Sequence, residues 1–144
     1  MNKDVFITIR AEQDSFDGEP DGVELFTSGT YNYGKDGVRL SYMESEITGL
    51  DGTKTMFHVK PGEVVLSRRG SVNSRMVFHP GKSSNFFYSS EYGMMQMELD
   101  TLRMKCALDE HGGDIDIEYN IDLDRSLLSR NRFTINVREK RLNS

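Results

Sequence analysis

The sequence predicts an all-β chain, an antiparallel up-and-down barrel of about eight to ten strands, and three observations predict it. From Asp114 to Asp124, Ile115, Ile117, Tyr119, Ile121 and Leu123 take the odd positions and polar or acidic residues take the even ones. Side chains alternate between the faces of a strand, so this segment has one dry face and one wet, acidic face. Similar short segments recur along the chain, separated by glycine- and proline-bearing turns. No stretch carries a helical period of useful length, and consecutive hairpins leave little room for the long crossovers of a sandwich.

The elements follow in order. Val5, Ile7 and Ile9 alternate with polar or outward positions in a first strand, which ends before an acidic loop from Asp14 to Gly22. A second strand runs from Val23 to about Tyr33, with Val23, Leu25, Tyr31 and Tyr33 on its apolar side; Gly29 within it predicts a bend or bulge. Gly34-Lys35-Asp36-Gly37 turns the chain into a strand from Val38 to Ile47, and Gly49-Leu50-Asp51-Gly52 turns it again into Thr53 to Lys60. Pro61-Gly62 has the composition of a type II turn and leads into Val64 to Arg69. Gly70 to Ser74 connects to a short strand, Arg75 to His79, and Pro80-Gly81 repeats the turn before Asn85 to Tyr92.

In the long run Met94 to Leu108, Met95, Met97 and Leu99 are odd whereas Leu102, Met104, Cys106 and Leu108 are even. The change of phase predicts a β-bulge near Asp100 and Thr101, with Cys106 in the core. After the acidic-faced strand, Arg125 to Arg130 is expected to make one helical turn before a last strand through Phe133, Ile135 and Val137.

The 144 residues fit one domain, 1–144, large enough to bury a core without staples. One cysteine allows neither a disulfide framework nor a cysteine-rich metal site. With a first strand beginning at the N-terminus rather than a signal peptide, and no apolar run of membrane length, a cytoplasmic location without a membrane partner is expected. The net charge of -5 opposes a nucleic-acid partner. Acids gather in Asp4 to Glu24 and Asp109 to Asp124, and bases from Arg125 onward, a pattern expected of solvated faces.

Three segments resemble the YwiB-like family of small bacterial proteins: Tyr42-Met43-Glu44-Ser45-Glu46-Ile47-Thr48-Gly49-Leu50-Asp51-Gly52-Thr53, Arg69-Gly70-Ser71-Val72-Asn73-Ser74-Arg75-Met76-Val77-Phe78, and Gly112-Gly113 through Asn131. The resemblance implies a lipocalin-like or fatty-acid-binding-like (calycin) barrel and no established reaction. Where the family pattern reads Thr-Pro-Tyr-Gly, this chain has Ser90-Glu91-Tyr92-Gly93, which removes the proline that would stiffen that turn.

The candidate site follows from phase. Glu44 and Glu46 share parity with Val38, Leu40 and Tyr42, so two carboxylates are expected inside the barrel, about 7 Å apart at the backbone. The alternative is a bulge near Glu44 that turns both outward and leaves Met43 and Ile47 facing in. Buried carboxylates need cations. Arg69, Arg75 and Arg130 are the candidates, with Asn73 and Asn131 as neutral partners. Tyr42, Glu44, Glu46, Arg69, Asn73, Arg130 and Asn131 thus form the expected polar cluster at one end. It would hold the head group of a small, partly apolar or anionic ligand, or simply lock the barrel's end.

His58, His79 and His111 lack the spacing of first-shell metal ligands, and no phosphate-binding or nucleophile motif occurs, so no metal, cofactor or catalytic residue is assigned. Phe86, Phe87, Tyr88, Tyr92, Met94, Met95 and Met97 form an apolar patch suited to core filling, a portal or a homodimer contact. The expected function is noncatalytic ligand binding in the lumen. A solid barrel acting as a protein-interaction module and an enzyme using Glu44 or Glu46 remain alternatives. A lumen of at least about 300 Å³ separates the hollow barrel from the solid one.

Overall fold

The structure, a computed structural model, describes residues 2–15 and 21–140. Most of the acidic loop's glycine- and proline-bearing tip, and Arg141, lie outside the described residues. The strands are β1 (Asn2–Ser15), β2 (Asp21–Gly34), β3 (Gly37–Met43), β4 (Thr53–Lys60), β5 (Glu63–Gly70), β6 (Asn73–Phe78), β7 (Ser83–Ser90), β8 (Gly93–Asp109), β9 (Gly112–Leu123) and β10 (Ser126–Glu139). Each pairs antiparallel with its sequence neighbour, and β1 pairs with β10 from Val5–Glu139 to Ser15–Ser129. The result is a closed, ten-stranded, up-and-down barrel. No helix among the described residues is long and apolar enough to cross a membrane.

Alternation decides what lies inside. Val5 and Ile7 of β1, Leu40 of β3, Val64 and Leu66 of β5, Phe78 of β6, Leu99 of β8, Ile115 and Ile117 of β9 and Ile135 of β10 are essentially inaccessible. At mid-height Phe57, Phe78, Tyr119 and Phe133 pack edge-on or tilted, with ring centroids 5.0–5.9 Å apart. The four rings form one contiguous aromatic layer within the lumen. Tyr31 reaches across one end, its hydroxyl donating to the Asp109 carbonyl at 2.6 Å.

Outside, the acidic face of β9 meets basic neighbours on both flanks. Arg103 of β8 reaches Glu118 at 3.0 Å, and Arg132 of β10 reaches Asp116 at 2.9 Å. The uneven charge of the sequence is therefore matched strand against strand.

The expected bulge in the long run is present: the β8–β9 register shifts between Thr101 and Arg103, which carries the inward row from Leu99 and Thr101 onto Met104. Gly29 does not break register, because its pairs with Val5 and Tyr42 continue the ladders on either side. A Cβ there would overlap the Ser41 carbonyl oxygen, so the glycine serves close strand approach rather than a bulge. Gly62, at φ 76°, supplies the left-handed position of the expected Pro-Gly turn. The turn at Glu91-Tyr92 forms without proline, between the paired Ser90 and Gly93.

Three expectations are corrected. The third strand ends at Met43 rather than Ile47, since a 3-10 turn, Glu46–Thr48, starts after the Ser45 cap, whose hydroxyl accepts from the Ile47 N–H. Arg125 to Arg130 makes no helix: β10 begins at Ser126, and Asp124 and Arg125 adopt φ 51° and 66°, the pattern of a type I′ hairpin turn. Cys106 is exposed, because β8 runs past the rim of the barrel although its parity is inward. A side chain at Arg125 strains that left-handed position, so Arg125→Gly should raise stability by about 0.5–1 kcal/mol. Urea unfolding with an unchanged slope checks it, and an unchanged or lower midpoint would refute the turn assignment.

Candidate functional site

On the side of the aromatic layer that carries Tyr42 and Glu44 the lumen is not filled. A cavity of about 290 Å³ is lined by Ile9, Leu25, Phe57, Leu66, Phe133 and Ile135 on its apolar walls and by Tyr42, Glu44, Arg68, Tyr119 and Asn131 at polar points. Its mouth lies between the ends of β1 and β2 and the connection that follows β3.

Cross-strand register builds the polar wall. Tyr42 of β3 stands opposite Thr55 of β4, Thr55 opposite Arg68 of β5, Arg68 opposite Ser74 of β6, and Ser74 opposite Tyr88 of β7. Opposed residues share a face, so these five make one inward row. Below them the same strands carry Leu40, Phe57, Leu66 and Met76, which are apolar and buried. Polar and apolar rows are thus one strand step apart.

Glu44 hangs at the end of that row, where β3 stops. Its N–H still donates to the Thr53 carbonyl at 2.8 Å, which holds the side chain inward after the ladder proper has ended. Only 2% of the carboxylate side chain is exposed. Thr55 donates to Oε2 at 2.7 Å, the single Thr48 hydroxyl proton is shared between Oε1 at 3.3 Å and the Ser45 carbonyl at 3.0 Å, and Arg68 Nε lies 3.9 Å from Oε2. A buried carboxylate requires such partners, and the guanidinium supplies the countercharge. Arg68 Nε and Ser74 Oγ are buried and have no hydrogen-bond partner among the described residues.

The phenols around the pair are held neutral. Burial, reinforced by the negative charge of Glu44, pushes the Tyr42 hydroxyl far above its ordinary range, and burial raises Tyr119. Tyr31, at the far end, is pushed up to about 12 by burial and then by Asp109.

Of the expected cluster, the structure brings Tyr42, Glu44 and Asn131 to the lumen and leaves the rest outside. Glu46 is exposed on the 3-10 turn, since the strand alternation that would have aimed it inward stops at Met43. Met43 and Ile47 are exposed as well, so the two carboxylates part company instead of turning together. Glu44 and Glu46 therefore do not meet in the lumen.

Arg69 is exposed because it has the parity opposite to Val64 and Leu66; the inward cation is its neighbour Arg68. Asn73 is exposed and folds back on its own turn, donating to the Gly70 carbonyl at 3.0 Å. Arg75, opposite Ser67, is likewise exposed. Arg130 lies on the outer face opposite Asp14, at the rim of a shallow surface depression. Asn131 faces in and donates to Ser129 Oγ at 3.0 Å. Arg68, Thr55 and Ser74 were missed, although the parity shared by Val64, Leu66 and Arg68 carried the signal.

The aromatic patch divides along the same lines. Phe86 and Met97 are core, whereas Phe87, Tyr92, Met94 and Met95 are exposed along the β7–β8 hairpin. His58, His79 and His111 stay apart, on β4 and in the turns after β6 and β8.

The phenols give a pH dependence with a definite sign. In the folded chain Tyr31 and Tyr42 keep their protons to higher pH than in the unfolded chain, so their contribution is complete below about pH 10 and is lost above it. Denaturant midpoints should fall steadily between about pH 10 and 12, and Tyr31→Phe should flatten part of that fall. A flat profile across this window would contradict the burial of the phenols.

The comparisons agree with this architecture. Residues 7–135 match the family profile described as domain of unknown function (DUF1934). The chain is 32% identical over 105 residues to the uncharacterized beta-barrel protein YwiB of Bacillus subtilis (strain 168), a match covering 73% of this chain and 72% of that protein. The crystal structure of the ywiB protein from Bacillus subtilis is similar over 97% of this chain and 94% of that one, with a TM-score of 0.85 at 26% identity. A shared barrel fold and a profile spanning nearly all of it lead to one conclusion: the chain belongs to the DUF1934 family of uncharacterised β-barrel proteins.

Proposed function

We propose that the protein is a noncatalytic binder of a small, partly apolar molecule held in the half of the lumen that the aromatic layer leaves open. The observation that carries this reading is Arg68: a charged side chain lining the cavity, with a buried Nε that no described residue accepts from. An unsatisfied buried donor costs about 1–3 kcal/mol, and more when charged, so a ligand acceptor placed against it recovers that cost. Glu44 already receives two threonine hydroxyls and is the weaker candidate for a ligand contact. The apolar body of the molecule would lie along Leu25, Phe57, Leu66 and Ile135, above Phe133.

Size supports a small occupant. At about 290 Å³ the cavity falls just under the roughly 300 Å³ that marks the smallest ligand pockets, so only a small molecule fits. A fully packed barrel would leave no such space. Short-chain amphiphiles fit the combination of volume and single polar wall.

Hexanoate and hexanol titrated into 15N-labelled protein test the reading. Both should shift the amides of Leu25, Leu66 and Phe133, and Arg68→Gln should weaken hexanoate at least about tenfold more than hexanol, as loss of a charge-assisted hydrogen bond requires. Shifts confined to the outer surface, or an Arg68→Gln protein that stays folded and binds hexanoate equally well, would overturn it.

A further inference from the structure

β8 is longer than the strand beside it. It pairs with β7 only over Gly93–Asp100, while it pairs with β9 from Glu98 to Asp109. At Thr101 the turn after β6 takes over, with Gly81 donating to the Thr101 carbonyl and Thr101 donating to the Lys82 carbonyl. Beyond it, Leu102 to Asp109 have a strand partner on one side alone among the described residues. A long free edge presents unpaired N–H and C=O groups that another strand can complete.

The faces of this edge differ. Met104, Cys106 and Leu108 share the inward face, opposite Ile117, Ile115 and Gly113, and border an apolar groove at the barrel's end with Val38, Val59 and Pro80. Arg103, Lys105, Ala107 and Asp109 share the outer face.

We infer that the occupant of this edge is a second copy of the chain, its β8 paired antiparallel with the first about a two-fold axis through Cys106. A two-fold axis normal to the sheet keeps each face on its own side, so only registers that pair like parity are allowed. Centring on Met104 sets Arg103 against Lys105, and centring on Lys105 sets the lysines against each other; like charges directly opposite are unfavourable. Centring on Ala107 pairs Lys105 with Asp109 but puts Met104 against Glu110.

Centring on Cys106 pairs Arg103 with Asp109 twice, Met104 with Leu108 twice, Lys105 with Ala107 twice, and Cys106 with its own copy. Charge and apolar contacts are satisfied together over the longest run. Arg103 would then stand between Glu118 of its own β9, at 3.0 Å, and Asp109 of the second copy. Opposed Cα atoms in an antiparallel pair are about 4.5–5.5 Å apart, within the range a disulfide spans, so the register has a covalent reporter.

The test uses the full chain. Under reducing conditions, sedimentation velocity and native mass spectrometry should find a concentration-dependent dimer. Copper–phenanthroline, which oxidises the two facing thiols by one electron each, should convert it to a Cys106-linked dimer that Cys106→Ser abolishes. Asp109→Arg should weaken association about tenfold, as should Arg103→Asp, and the double exchange Arg103→Asp with Asp109→Arg should restore it. A monomer at every concentration would overturn the inference. So would a dimer indifferent to both charge variants, or crosslinking of the Cys106→Ser, Ala107→Cys protein in place of the natural chain.

Discussion

Closure of the ladder between β1 and β10 is the constraint on which the rest depends. Once Val5 pairs with Glu139 and Ser15 with Ser129, every strand has two neighbours, and inward side chains within the barrel wall are committed to the lumen. Alternation then does the sorting. Ile7, Leu40, Leu66, Ile117 and Ile135 fill space because their parity points to the axis, and Asp116 and Glu118 meet Arg103 and Arg132 because theirs points away.

The same commitment makes the lumen's polar row costly and informative. Tyr42, Thr55, Arg68, Ser74 and Tyr88 are side by side across five strands, one step from rows of leucine, phenylalanine and methionine. Glu44 and Arg68 neutralise each other at 3.9 Å without a direct hydrogen bond, and the threonines complete the carboxylate. Replacing such a pair with apolar residues of equal volume is often neutral or stabilising. A charged pair facing an open cavity is therefore weak evidence of stabilisation. The phenols around it stay neutral and donate or accept without adding charge.

Much of this was legible in the chain. The strict alternation of Asp114 to Asp124, the glycine and proline turns and the phase change after Leu99 specified the strands, the hairpins and the bulge. Parity points Tyr42 inward correctly within β3, and Glu44 keeps that phase only because its N–H still bonds the Thr53 carbonyl past the strand's end. Parity fails where strands end. The period that points Glu46 inward stops at Met43, and the period that points Cys106 to the core outlasts the barrel wall. Val64 and Leu66 set a phase that selects Arg68 over Arg69, and charge alone does not bring Arg130 inside. Where a strand leaves the sheet depends on the capping hydroxyl of Ser45 and on the unequal lengths of β7 and β8, and neither follows from hydrophobic periodicity.

The barrel is thus packed around Val5, Leu40 and Val64 on one side of its aromatic layer and open on the other, where the Glu44–Arg68 pair lines the wall. Xenon-pressurised crystals test this most directly, because xenon settles against apolar walls such as those at the inner end of the cavity. The account predicts a xenon peak bounded by Leu25, Phe57, Leu66 and Phe133 and none among Val5, Leu40 and Val64. Electron density showing those first four side chains in mutual contact, with no xenon between them, would contradict it.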